Sequence, residues 1–169
     1  MIISGKTRYL IYSFECLAAF VLQSVPCCAI EISGAKGALT VSLALSIAVF
    51  EGEVVSILFA AICGVISDIS FSGTIGFFSI AMTIVCYFIS LLFENYFKRN
   101  LFTVLIVSFA GIVLVLSLHF FIFFVIRGYT DGWQFFIKHY IPRIFCTLLA
   151  VAVFYGIECI FATGDDSSL

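Results

Sequence analysis

Few residues in this 169-residue chain could do chemistry, and they stand alone in apolar surroundings. The carboxylates Glu15, Asp68 and Glu158 fall within or at the edge of long apolar runs, and His119 sits among Leu118, Phe120 and Phe121. A carboxylate at membrane depth costs about 2.5 to 3.5 kcal/mol on insertion scales and usually faces a bundle interior, so such a group could relay protons or bind a cation. Glu15 keeps that reading beside a structural one. Glu158 is expected near a helix end, with its carboxylate reaching the interface, and His119 is expected to be a packing imidazole. Asp68 also stays open: in a helix that ends near Ile69 its charge is mildly unfavourable unless a nearby Ser or Thr donor offsets it.

The remaining chemistry is excluded motif by motif. Cys16, Cys27, Cys28, Cys63, Cys86, Cys146 and Cys159 are odd in number, contain no C-x-x-C pair and lack metal-ligand spacing, so they are expected to pack as small apolar residues. There is no H-E-x-x-H, no G-x-S-x-G elbow and no Gly-rich phosphate loop. Neither catalysis nor a cofactor is expected.

A series of small residues is the most informative pattern. After Glu51-Gly52-Glu53 come Ser56, Ala60, Gly64 and Asp68, spaced by four, and then Gly73 and Gly76. Residues four apart stack along a helix, so Gly52, Ser56, Ala60, Gly64 and Asp68 form a groove for close approach, either within the bundle or to a partner. Each step of four turns the helix by about 400°, a drift of roughly 40°, so only neighbouring members are expected to line one contact.

The elements that must carry these residues are membrane helices. The chain is 63% hydrophobic and 11% charged, with a mean hydropathy of +1.25, outside the range of soluble domains. Its net charge of −2 gives no footprint for nucleic acid. Spans need about 20 apolar residues, which predicts helices over 9–30, 75–93, 101–126 and 141–162. Two shorter runs, 38–50 and 54–69, part at Glu51 to Glu53 and predict either two short spans or a re-entrant hairpin, with two spans preferred.

The fold class is therefore an all-α polytopic membrane protein of about six helices in a single domain over 1–169. Lys6 and Arg8 before an apolar run resemble a secretory signal, but the run is long and is taken as the first span. Pro26 and Pro142 are expected to mark helix ends, 127–140 an interfacial loop, and 164–169 a short, unstructured polar tail. An even number of crossings puts both termini on one side. Lys6, Arg8, Lys98 and Arg99 balance Lys36, Arg127, Lys138 and Arg143, and the compact clusters at the first helix and at 98–99 favour cytoplasmic termini.

The segment Glu51-Gly52, Gly64-Val65-Ile66-Ser67-Asp68, Ser72-Gly73 and Gly76 resembles the signature of the MreD family of rod shape-determining membrane proteins. Members of that family are similar in length and helix number, with a small-residue helix ending in Gly-Leu-x-x-Asp before a Gly-x-x-Gly turn. Here Val65 stands for the usual Leu, and Ser56 and Ala60 stand for glycines. The resemblance implies a non-enzymatic scaffold of cell elongation in the bacterial inner membrane, joining the bitopic MreC to MreB and to peptidoglycan synthases. It also implies a fold similar to the substrate-binding subunits of energy-coupling-factor transporters, so a vitamin-binding subunit is the alternative function. Those subunits carry Ala-x-x-x-Ala in the first helix, whereas here Leu22 follows Ala18 and Gln23 follows Ala19.

Overall fold

The computed structural model describes residues 5–24, 31–32, 35–71, 76–97, 100–122 and 140–166. Six helices are present among them: α1 Gly5–Ser24, α2 Leu39–Phe50, α3 Glu53–Phe71, α4 Phe77–Asn95, α5 Leu101–Phe120 and α6 Ile141–Asp166. Between α1 and α2, Glu31–Ile32 and Ala35–Lys36 form a two-residue antiparallel ladder with Glu31 opposite Lys36, an element that composition does not announce. Residues 25–30, which include Pro26, most of the interfacial loop expected over 127–140, the end of the 101–126 run, Gly73, and the last residues of the tail lie outside the described residues. The helix of α6 continues through Gly164, Asp165 and Asp166, since one glycine costs a helix only about 1 kcal/mol. Pro142 is its second residue, where a missing N–H is harmless.

Among the described residues, four helices are long and apolar enough to cross a membrane: Glu53–Ser70, Phe77–Asn95, Leu101–Phe120 and Ile141–Ile160. This set differs from the long runs of the sequence. The run expected over 54–69 extends at both ends into 19 helical residues, about 28 Å, because Glu53 enters its first turn and Ser70 and Phe71 its last. The first helix, as described, is not in the set, because Arg8, Glu15 and Gln23 dilute its apolar content. Those polar groups do not face outward together: Gln23 is buried, while Leu10, Phe14, Leu17 and Val21 are exposed.

The 12-residue α2 is the centre of the bundle. Every residue from Thr40 to Phe50 is buried, the behaviour of a helix that is apolar all round. Small Ser42, Ala44, Ser46 and Ala48 alternate with large Leu43, Leu45, Ile47 and Val49, so neighbouring helices approach closely between bulky side chains. α2 packs chiefly on α3 and α6, then on α4 and α1. Its length, about 18 Å, is tolerable because other helices enclose it. Its polar groups are bonded internally: Ser42 Oγ donates to the carbonyls of Ala38 and Thr147 at 3.1 and 2.9 Å, and Thr40 Oγ1 lies 2.7 Å from Ser67 Oγ.

Contacts between helix ends set an up-and-down order. Gln23 Oε1 accepts from Thr40 N at 3.3 Å, Glu51 lies against Arg8, Asp68 against Phe78, Ser90 against Glu51, and His119 against Tyr140. The start of α1 and the end of α6 thus come to one end of the bundle. Outward, Leu58 and Ile62 of α3, Ile84 and Phe88 of α4, and Phe145 and Leu149 of α6 form an exposed apolar surface.

Candidate functional site

The small-residue series lies on the inner face of α3. Ser56, Ala60, Cys63, Gly64, Ser67 and Asp68 are buried, whereas Val54, Leu58, Ile62, Val65 and Ile69 on the opposite face are exposed. The helix that the groove receives is the chain's own α4. Ser56 Oγ donates to the Cys86 carbonyl at 3.2 Å, and Ser79 Oγ donates to the Ala61 carbonyl at 3.3 Å. A Cβ built on Gly64 would stand 2.4 Å from Ser79 Cα and 2.9 Å from the Phe78 carbonyl oxygen, so backbone touches backbone there.

One expectation needs correction. The drift of the groove was expected to restrict each contact to neighbouring members, yet Ser56, Gly64 and Asp68 all meet α4, at Cys86, at Phe78 and Ser79, and at 76–79 respectively. α4 runs antiparallel along the groove, from Cys86 at Ser56 to Gly76 at Asp68. Gly52 does not take part: it is exposed, and a Cβ there would meet nothing within 4 Å. Its carbonyl instead accepts from Ser56 N at 3.1 Å, opening α3, and it lines a shallow cavity of about 110 Å³ with Val49, Glu51, Ser90 and Glu94.

Asp68 is 0% exposed and reaches from the last turn of α3 to the first turn of α4. Its Oδ2 accepts from Gly76 N at 2.8 Å and Ser79 N at 3.2 Å, and its Oδ1 from Phe78 N at 2.9 Å. A helix N-terminus presents unpaired N–H groups and a partial positive charge. The carboxylate meets both needs, and the favourable dipole of α4 offsets the unfavourable one of α3. Gly76 stands at the cap with φ +111°, a conformation that glycine enters without steric cost. Gly64, Asp68 and Gly76 therefore act as one clasp: close approach, cap and turn.

Around this clasp the same end holds His119, whose Nδ1 lies 2.8 Å from Tyr140 Oη and whose ring packs 5.0 Å from that of Phe78. His119 is thus a packing imidazole with a partner. The other end holds a linkage that motif reasoning missed. Arg8 Nη2 lies 2.8 Å from Glu51 Oε1, Tyr12 Oη donates to the same oxygen at 3.0 Å, and Ser90 Oγ donates to the Glu51 carbonyl at 3.0 Å. Opposite charges at the ends of adjacent helices, in a chain with so few, were the available signal.

The Glu158 carboxylate is enclosed rather than reaching outward: the residue is 3% exposed, and neither oxygen has a hydrogen-bond partner among the described residues. It follows Val151 and Tyr155 on the core face of α6, and Tyr155 stacks on Phe50, at the end of α2, at 5.3 Å. That register carries Glu158 inward beneath the α2–α3 turn. Cys16, Cys63, Cys86 and Cys146 are buried, with Cys16 and Cys63 sulfurs 3.5 Å apart. Among the described residues no group of three His, Cys, Asp or Glu is placed to hold a metal ion.

The site is thus a junction between two membrane helices, made from the same Gly64, Asp68 and Gly76 that carry the family resemblance. Comparison with the curated proteins and with the solved structures finds no match. A family model described as rod shape-determining protein MreD matches residues 5–162, nearly the whole chain. The chain belongs to the MreD family of shape-determining membrane proteins.

Proposed function

We propose that this chain is a non-enzymatic scaffold of the bacterial cell-elongation machinery, holding rod shape by binding a bitopic MreC-like protein and, through it, linking MreB and peptidoglycan synthases. The observation that carries the reading is the family match over residues 5–162. The fate of the polar motif supports it: Asp68 spends its carboxylate on the backbone of α4, which suits a rigid body better than a carrier that must reorganise that end. A scaffold needs a fixed surface, and the interlocked α2, α3 and α4 would supply it.

In this reading all six helices cross the inner membrane and both termini are cytoplasmic, with an overall fold like that of energy-coupling-factor binding subunits. α1 completes the count because Gln23 is buried and Leu10, Phe14, Leu17 and Val21 make its outer face largely apolar. The test is depletion of the protein in its rod-shaped host. Rounding cells, and recovery of the MreC-like protein on mild-detergent purification, are the expected results; persistent rods with no such partner would refute the proposal.

A further inference from the structure

Cys16 and Cys63 form a pair that neither the clasp nor the Arg8–Glu51 linkage uses. Their sulfurs lie 3.5 Å apart where α1 meets α3. A second contact fixes the alignment of the two helices. One turn earlier on each, Tyr12 packs edge-on against Phe59 with ring centroids 5.6 Å apart. Residues 12 and 16 of α1 thus meet 59 and 63 of α3 in the same order, so the helices run side by side in one direction and both thiols stand on the faces that meet.

Both thiols are enclosed, Cys16 to 4% and Cys63 to 1% exposure. Enclosure makes a thiol slow toward charged or bulky reagents, which narrows an effective oxidant to a small uncharged molecule that passes through apolar surroundings. Cys16 is the nearer to such a molecule, because Ser13 and Leu17 beside it on α1 are exposed. Cys86 is engaged elsewhere, its sulfur 3.7 Å from the Ala44 carbonyl oxygen.

We propose that Cys16 and Cys63 are a modification site at which a hydroperoxide forms a disulfide, clamping α1 to α3. In the first step the Cys16 sulfur bonds to one peroxide oxygen and the O–O bond breaks. Cys16 becomes a sulfenic acid, and the other oxygen leaves with the thiol proton as water or an alcohol. In the second step the Cys63 sulfur displaces the sulfenic hydroxyl, which leaves with the Cys63 proton as water. Two thiols lose two electrons in all, and one hydroperoxide gains them. The second step joins groups already in contact, so it outruns further oxidation of the sulfenic acid. α1 packs chiefly on α2 and meets α3 along a narrow strip. A bond there closes the chain between residues 16 and 63 and ties the first helix to the helix that carries the clasp.

The test uses the full chain in lipid nanodiscs at one chain per disc, treated with hydrogen peroxide, then unfolded and alkylated. Of the seven cysteines, Cys16 and Cys63 are expected to lose reactivity together, with a peptide pair joined through them and lighter by two hydrogens; a dithiol reductant restores both. The oxidised chain is expected to melt at a higher temperature than the reduced one. C86S is expected to form the same cross-link, whereas C16S and C63S each lose both the cross-link and the rise in melting temperature. The cross-link is read on the wild type itself, so a variant that fails to fold leaves the result standing. Undiminished alkylation of Cys16 and Cys63 after peroxide overturns the inference. So does a sulfinic acid at Cys16 with Cys63 still free, or a cross-link that leaves the melting temperature unchanged or lower.

Discussion

Single residues of the clasp have separable costs. Gly64→Ala places a methyl 2.4 Å from Ser79 Cα, and backbone cannot yield as a side-chain tip can. The substitution is expected to cost about 3 kcal/mol, the upper end for overpacking, read by reversible unfolding in mixed micelles. Gly52→Ala, with open space around it, is expected to be near neutral in the same assay. Gly76→Ala also has room, so its cost is backbone strain at φ +111°, about 1 to 2 kcal/mol. Asp68→Ala strips the acceptors from three N–H groups and is expected to cost about 2 to 4 kcal/mol. Asp68→Asn should be nearly as damaging, because both oxygens accept backbone donors and an amide NH2 would oppose one set. A proton-relay residue would instead leave stability unchanged on Asn substitution, so the unfolding measurement separates the two roles.

Among the elements, α2 and α3 show how one composition serves two environments. Leu45 of α2 is wholly enclosed and Leu58 of α3 faces outward. Leu45→Ala is expected to cost about 2 to 5 kcal/mol through the cavity left behind, whereas Leu58→Ala should change stability little, since lipid refills the space. Ile62→Lys, on the same outer face, should cost about 2.5 to 3.5 kcal/mol of insertion in a translocon assay while leaving the α3–α4 contacts intact. The replacement of the usual Leu by Val65 follows the same logic: Val65 is 41% exposed and points away from α4, so its shape is unconstrained by the clasp. Four-residue spacing marked Ser56, Ala60 and Gly64 as a packing stripe, but spacing cannot distinguish an internal helix from a partner helix, because both present the same groove with the same ridge.

For the whole molecule, Arg8 meets Glu51 and Tyr155 stacks on Phe50 at the same end of α2, which brings the start of α1 and the end of α6 together, so reporters fused to either terminus are expected to give the same compartment signal; opposite signals would exclude six crossings. The MreD family assignment was legible in the residues 51–76, because a cap, a turn and a close approach each demand a particular residue type wherever they occur. Apolar composition by itself determined that the chain is a helical membrane protein, since lipid leaves the backbone few other ways to pair its polar groups. Packing in three dimensions set which helix is central, that Asp68 serves α4, that Arg8 meets Glu51, and that the Glu158 carboxylate is enclosed without a hydrogen-bond partner among the described residues. Those facts depend on which faces meet, and in a uniformly apolar chain the hydrophobic pattern carries no record of inside and outside.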